Sequence, residues 1–341
     1  MIGLLVLAAV VISPLILLYF LAIRWADRYE KEPLWALALC FLWGAIGATL
    51  GGGLSTIVAQ ELTQNAILQA TSNPSAPEAV AMTVYAPVFE EAFKGLGVIA
   101  VFFFGYILTR EFDGPLDGVV YGGVIGLGFT LTEDALYIAG LAAEQGAGGF
   151  VAMVVLRTVF GGLGHAMYTS LTGLGWGMVV TSRSALAKFL WPCFGFLLAM
   201  LLHSAHNALP TFLGDVGGIL SIVMTWVFFL GWFVLIGILV AGERRTVLRE
   251  LEPEVGVLVR DAEELRLLGS VFSRSWRDIG ILLSKGRRAF RAETHRHAQL
   301  IELAIVKARL GRGDRAPKIV AEEARLRAEL DRLAVVAGRP G

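Results

Sequence analysis

The sequence predicts an all-α protein: a polytopic membrane helical bundle of about seven transmembrane helices with a C-terminal cytoplasmic helical region. Three observations carry that expectation. The 341-residue chain is 56% hydrophobic and only 17% charged, with a mean hydropathy of +0.67, whereas soluble proteins carry about 25% charged residues. Several apolar runs exceed the roughly 18 residues that mark a membrane span. The charges are also segregated. Residues 242–341 hold 21 of the 29 Lys and Arg and 15 of the 29 Asp and Glu, so the tail is net +6 and the rest net −6.

The predicted spans are 2–23, 34–59, 87–108, 118–138, 150–180, 186–209 and 216–240. The first begins at Ile2 without a basic segment before it and reads as a retained span. Basic residues fall in alternate connections: Arg24, Arg28 and Lys31 in the first, Arg110 in the third, Arg183 in the fifth with Lys188 just past its end. The second, fourth and sixth connections contain none. By the positive-inside rule this gives an outside N-terminus and a cytoplasmic C-terminus in the cell membrane. Two spans are awkward. Pro87 interrupts an apolar region that begins at Ala79, and a helix starting there would place Glu90 and Glu91 in its first turn. The region 150–180 is long for one upright span and contains Arg157. Glycine-rich runs such as "GATLGGG" (47–53) and "YGGVIGLGF" (121–129) suit close helix packing in lipid. Cys40 and Cys193 lie in apolar runs and imply no disulfide framework.

The polar residues left inside the spans are few. Glu90, Glu91 and Lys94 lie on the third; Asp117, Tyr121, Glu133 and Asp134 on the fourth; His165 and Thr169 on the fifth; His203, His206 and Asn207 on the sixth. Glu90 and Lys94 are four apart and share a helix face, so they can form an intrahelical pair, while Glu91 points about 100° away. His203 and Asn207 project together with His206 alongside. Glu133 and His203 fall about 9 Å below the outer boundary, so the polar groups converge in the outer half of the membrane. Such groups are expensive in lipid and mark a functional site by default.

A carboxylate and an imidazole suffice to take a proton from water, and a His–Asn pair can donate to an oxyanion. Histidine and glutamate are also zinc ligands, although the helical H-E-x-x-H pattern is absent. No G-x-S-x-G elbow supports serine chemistry. A proton-coupled transporter or channel, or an inactive scaffold that binds membrane helices, would use the same buried groups differently.

"FEEAFKG" (89–95) resembles the EExxK motif of the PrsW family of intramembrane proteases. "DGVVYGGVIGLGFTLTED" (117–134) resembles its second motif, with Glu133-Asp134 where the family usually has Glu-Asn. "HAMYTSLTGLGWG" (165–177) and "HSAHN" (203–207) resemble the third and fourth, and "DRYEKEPL" (27–34) an entry segment. The resemblance runs over about residues 20 to 210 and extends to the CAAX-prenyl-protease and bacteriocin-processing group. It implies that Glu90 activates water with help from His165, and that His203 and Asn207 form an oxyanion hole. Glu91 and Lys94 would orient and balance the site, with Lys94 one residue before the arginine frequent in the wider group. Glu133 and His206 are supporting residues. No cofactor is favoured; a zinc-dependent alternative would draw on His165, His203, Glu90 and Glu133. The implied substrates are single-span membrane proteins such as anti-sigma factors, cut on the outer side. Membrane lipid is a further partner, nucleic acid is not, and a homo-oligomer stays open.

The chain divides into a core, 1–241, and an amphipathic helical tail, 242–341. "SRSWRDIGILLSKGRRAFR" (273–291) is basic and amphipathic enough for an anionic leaflet, with a small solvated bundle as the alternative. His295 and His297 read as surface residues, and the tail is assigned no chemistry.

Overall fold

The computed structural model describes residues 1–29, 31–105 and 112–336, with side chains to residue 333. The helices are α1 (Ile2–Ala26), α2 (Leu34–Thr71), α3 (Ala86–Phe102), α4 (Pro115–Met153), α5 (Gly164–Thr181), α6 (Ala185–Leu251), α7 (Ala262–Leu268), α8 (Val271–Gly311) and α9 (Pro317–Val336). No β-strand occurs among the described residues. The chain forms two compact units: Met1–Ala26 with Glu32–Ile236, and Asp27–Lys31 with Gly237–Gly341.

In the first unit α4 is the central helix. Its residues from Leu116 to Thr130 are buried without interruption, because α1, α2, α3 and α5 all pack on it. Ala8, Ile12 and Ile16 of α1 meet Ala135 and Ile138 of α4. The α4–α5 contact is the closest. A methyl group on Gly173 would lie 1.8 Å from the Gly118 carbonyl oxygen, and one on Gly126 2.3 Å from that of His165. Only glycine lets the backbones approach this far. Away from these contacts the helices expose Leu and Val side chains, as along α1 at Val10, Leu17 and Leu18, which suits lipid as solvent.

Four helical stretches are long and apolar enough to cross a membrane: Ile2–Ala26, Leu34–Thr71, Pro115–Thr181 and Ala185–Glu254. The last two contain 67 and 70 residues, far longer than the roughly 20 needed for one crossing. They are broken by Gly146 (φ 65°) and Gly214 (φ 55°), which fall inside the fourth and sixth expected connections. The number of crossings is thus not read directly from the helix count. The expected end of the third span at Leu108, and Arg110, lie outside the described residues.

One open alternative is decided and one expectation corrected here. Pro87 does not begin a helix: Ala76–Val80 and a π-helical segment, Ala81–Tyr85, lead into α3 with helical backbone throughout. The widened register, in which the Ala86 N–H donates to the Ala81 carbonyl, accommodates the proline ring. Glu90 and Glu91 therefore do not sit on a helix N-terminus. Nor is 150–180 a single helix. Val154–Phe160 is π-helical and Gly161–Leu163 form a turn before α5, so Arg157 belongs to the segment before the break.

In the second unit Val247, Leu251, Leu268, Leu300, Leu303, Ala304, Leu326 and Leu330 form the core. Asp261 and Ser270 cap α7 and α8 by accepting from the N–H groups of Glu264 and Ser273. His295 is exposed as expected, but His297 is buried. Its ring lies within 3.4–3.8 Å of Glu264, Glu293 and Asp278. A histidine flanked by charges in sequence is buried here against one of them, Glu293, and two carboxylates from earlier in the chain, Glu264 and Asp278.

Candidate active site

The motif residues of α3, α4, α5 and α6 meet in one polar layer. On α3, Glu91 and Lys94 are wholly inaccessible and Glu90 nearly so. Lys94 does not pair with Glu90, although their four-residue spacing allows it. Its Nζ donates instead to Glu91 Oε1 at 2.6 Å and to His165 Nδ1 at 3.0 Å, and lies 4.1 Å from the centre of the Phe129 ring. A three-residue step serves as well as a four-residue one on a helix. Here the tertiary partner decides, because only the Glu91 side brings the ammonium to His165.

Glu91 Oε1 is also 3.0 Å from His203 Nδ1. The opposite ring atom, His203 Nε2, lies 3.8 Å from Glu90 Oε2, which is buried with no hydrogen-bond partner. His165 Nε2 is 2.7 Å from Glu133 Oε2. Glu133 also accepts from Arg157 Nη2, and Arg157 Nε donates to Asp134 Oδ1 at 2.9 Å. Thr158 Oγ1 completes that anchor on Asp134 Oδ2 at 2.8 Å.

The donors fix the tautomers of neutral rings. Lysine only donates, so His165 Nδ1 accepts from Lys94 and its Nε2–H donates to Glu133. His203 donates Nδ1–H to Glu91, which leaves a lone pair on Nε2 facing Glu90. Tyr168 fixes the plane of the His203 ring by stacking on it at 5.2 Å and 14°, and the two histidine rings meet edge to face at 5.0 Å.

A cavity of about 930 Å³ opens beside this layer, lined among others by Glu133, Arg157, His165, Tyr168, His203 and Asn207. Asn207 and His206 share its wall but make separate contacts. Asn207 Nδ2 donates to the Met82 carbonyl at 3.0 Å. His206 Nδ1 lies 2.8 Å from Ser221 Oγ and 3.0 Å from Thr225 Oγ1. Asp117 is remote from the layer and accepts from the N–H groups of Asp113 and Gly114. Tyr121 donates to Glu32. Sequence reasoning had singled out Arg157 only as an awkward charge, and Tyr168 not at all. The signal for Arg157 was present: a cation inside an apolar run requires carboxylate partners, and Glu133-Asp134 were an available pair.

Glu90, His165 and His203 each offer a ligand atom, and these atoms lie within 4.8 Å of one another. A carboxylate behind one histidine, here Glu91 behind His203, is the usual outer partner of a metal-binding imidazole.

The profile of a family described as "PrsW family intramembrane metalloprotease" matches residues 32–236. The chain belongs to the PrsW family of intramembrane proteases. That span includes every residue of the polar layer, and ends further along than the sequence motifs alone suggested. Among curated relatives, Protease PrsW of Geobacillus kaustophilus is 28% identical over 181 residues, 53% of this chain and 69% of that protein. Protease PrsW of Oceanobacillus iheyensis is 30% identical over 129 residues, 36% of this chain and 55% of that protein. That of Halalkalibacterium halodurans is 29% identical over 121 residues, 36% of this chain and 50% of its own length. The chain thus spans about half the length of two of these three PrsW relatives. No solved structure matches the chain.

Proposed function

We propose that the chain hydrolyses peptide bonds of membrane-inserted proteins, and that the reaction is centred on the Glu90–His203 pair. The observation that carries this reading is the 3.8 Å separation of an unpartnered carboxylate oxygen and an imidazole nitrogen bearing a lone pair. A water bridging the two is oriented by His203, whose ring Glu91 and Tyr168 hold. It loses its proton to Glu90 as the oxygen attacks the scissile carbonyl, and Glu90 returns that proton to the leaving amine. His165, fixed between Lys94 and Glu133, supports the charge of this step from the second side. Asn207 has one amide hydrogen beyond its bond to Met82, and the Arg157 guanidinium lines the same cavity. Both are donors available to the developing oxyanion.

A second reading rests on charge. Among the described residues, Glu90, Glu91, Glu133 and Asp134 oppose Lys94 and Arg157, leaving two negative charges in a largely buried layer. Two protons or one divalent ion balance them. The donor set fits a zinc-class ion, with Glu90, His165 and His203 as ligands and Glu133 as the fourth candidate. Such an ion, when bound, supplies Lewis-acid polarisation and a more acidic water. His165 would then have to release Glu133 with its Nε2 proton. The description of the matching family as metalloproteases agrees with this reading, and the Lys94 ammonium against His165 Nδ1 favours the metal-free one.

The substrate class that suits an outer-half site is single-span membrane proteins of the anti-sigma-factor kind, cleaved on the outer side. The test is proteolysis of a panel of such proteins by the purified chain in lipid nanodiscs, with Glu90→Gln and His203→Ala as comparisons and metal content measured by mass spectrometry. Cleavage lost in both variants and insensitive to a zinc chelator supports the glutamate mechanism. Stoichiometric zinc, with activity lost on chelation and restored by zinc, supports the metal one. Cleavage that survives Glu90→Gln overturns both.

A further inference from the structure

We propose that the first half of α8, residues 271–285, is an in-plane helix that binds an anionic phospholipid surface. Phe272, Trp276, Ile279 and Leu283 are 64, 71, 44 and 81% exposed. At about 100° per residue the four side chains fall within one narrow arc. They make a continuous apolar stripe beside the half-buried Val271, Ile281 and Leu282, too large and too aromatic for a face meant for water.

The stripe ends where the helix changes role. Gly286 has φ 79°, and beyond it α8 turns its apolar side to the core through Leu300, Leu303 and Ala304. Beyond Gly286 the helix is committed to packing within its unit, whereas before it Val271 packs on that core and the four stripe residues stay exposed.

Charge and tethering identify the occupant. Residues 271–291 contain six basic side chains, Arg274, Arg277, Lys285, Arg287, Arg288 and Arg291, against the single acid Asp278. Apart from Arg274 these cations are exposed. An apolar stripe flanked by basic groups is the pattern of a helix lying at the headgroup level of a negatively charged leaflet. A protein groove would demand an acidic partner as well. The helix start is also tied to the segment that follows α1. Arg274 Nη2 donates to the Arg28 carbonyl at 3.0 Å, and Tyr29 Oη donates to the Gly269 carbonyl at 2.9 Å. Arg28 and Tyr29 lie two and three residues beyond Ala26, the last residue of the apolar helix α1. The stripe therefore begins within a few residues of a membrane helix end, where lipid is the nearest apolar phase.

The test uses the full chain with Cys193→Ser, which leaves only the buried Cys40, and Leu283→Cys carrying an environment-sensitive fluorophore. The protein is placed in nanodiscs of neutral phosphatidylcholine, or of the same lipid with phosphatidylglycerol. Binding predicts quenching by nitroxide-labelled lipid, about twofold or more stronger with phosphatidylglycerol and reduced by high salt. Arg277→Glu with Lys285→Glu should abolish the difference between the two lipids. Free access of aqueous iodide to the label in both nanodiscs overturns the proposal. So does shielding that is independent of lipid charge and relieved when each nanodisc holds a single copy, which would identify a second copy as the occupant. Size-exclusion profiles of each variant separate these outcomes from misfolding. None of the readouts depends on proteolytic activity.

Discussion

Lys94 is buried with no accessible surface, and its ammonium is held by the Glu91 carboxylate and the His165 ring. Removing one member of a buried pair leaves the other charge uncompensated, at about 3–5 kcal/mol. Lys94→Met should therefore lower the unfolding transition in detergent by that order and free His165 Nδ1. Lys94→Met with Glu91→Gln should recover much of the stability but not the activity, since Glu91 also orients His203. A double variant no more stable than the single one would show that the pair is not the source of the loss. His297 offers a prediction outside the membrane. Burial pulls its pKa down, but Glu264 and Glu293 outweigh this and raise it above the usual value of 6.5. Asp278 faces it from its own helix, and Arg260 and Arg296 bind the two glutamates. A raised folded pKa means that the stabilisation is fully present below pH 6.5 and is lost as pH rises through the folded value. Hydrogen exchange around residues 300–304, corrected for intrinsic rates, should be slower at pH 6 than at pH 9. His297→Gln should flatten that difference; an unchanged pH dependence in the variant would rule the histidine out. These two residues also measure what was legible. Lys94 stood out because a charge in an apolar run is rare, though its partner was not fixed, because two helical spacings were equally near. His297 was hidden because its neighbours in sequence are charged, and only the fold brings Glu264 and Asp278 to it beside Glu293.

At the scale of the helices, the α4–α5 contact explains why glycines accompany the motifs. Gly118 and Gly173 meet backbone to backbone, and Gly126 packs on the His165 carbonyl itself. Gly173→Ala forces the two helices apart and should cost about 1–3 kcal/mol. Gly126→Ala presses on the backbone that carries His165. Its expected signature is a fall in kcat larger than that of Gly173→Ala at similar stability, measured on one substrate in nanodiscs. Equal effects of the two on kcat would mean that the strain is shared along the interface rather than felt at His165. The packing role of these glycines was legible in sequence, since small residues at helical spacing have few other uses in lipid. Which helix each would meet was not, because one glycine run carries no information about its partner. Hydropathy likewise located the apolar stretch from Phe150 to Val180 but could not see its break at Gly161–Leu163. A turn made of glycine and leucine is as apolar as the helices it joins. Gly146 and Gly214 were different. They fall in short polar or proline-bearing connections, and their positive φ marks turns that the charge pattern had already placed.

For the whole molecule, the distribution of cations makes a prediction about sidedness. The sequence segments around Ser72 and Gly214 hold no Lys or Arg, whereas those around Arg28 and Arg183 do, and the tail is net +6. The bias toward basic residues on the cytoplasmic side acts during insertion and is strongest for short loops. It therefore orients α1 to α6 but says nothing of which lipid the tail prefers. The orientation is tested with Cys193→Ser as background and single cysteines at Ser72 or Ser184, both outside the helical stretches that bracket them. A membrane-impermeant thiol reagent applied to intact cells should label Ser72→Cys at once and Ser184→Cys only after permeabilisation. The same experiment bears on the site, because Ser75 and Glu78, just beyond Ser72, line the cavity beside His165 and His203. Labelling of Ser72→Cys from outside would mean that the cavity is reached from the outer side, in agreement with outer-side cleavage. Labelling of Ser184→Cys alone in intact cells would invert the protein, place the cavity mouth toward the cytoplasm, and remove the argument for extracytoplasmic substrates while leaving the chemistry at Glu90 untouched.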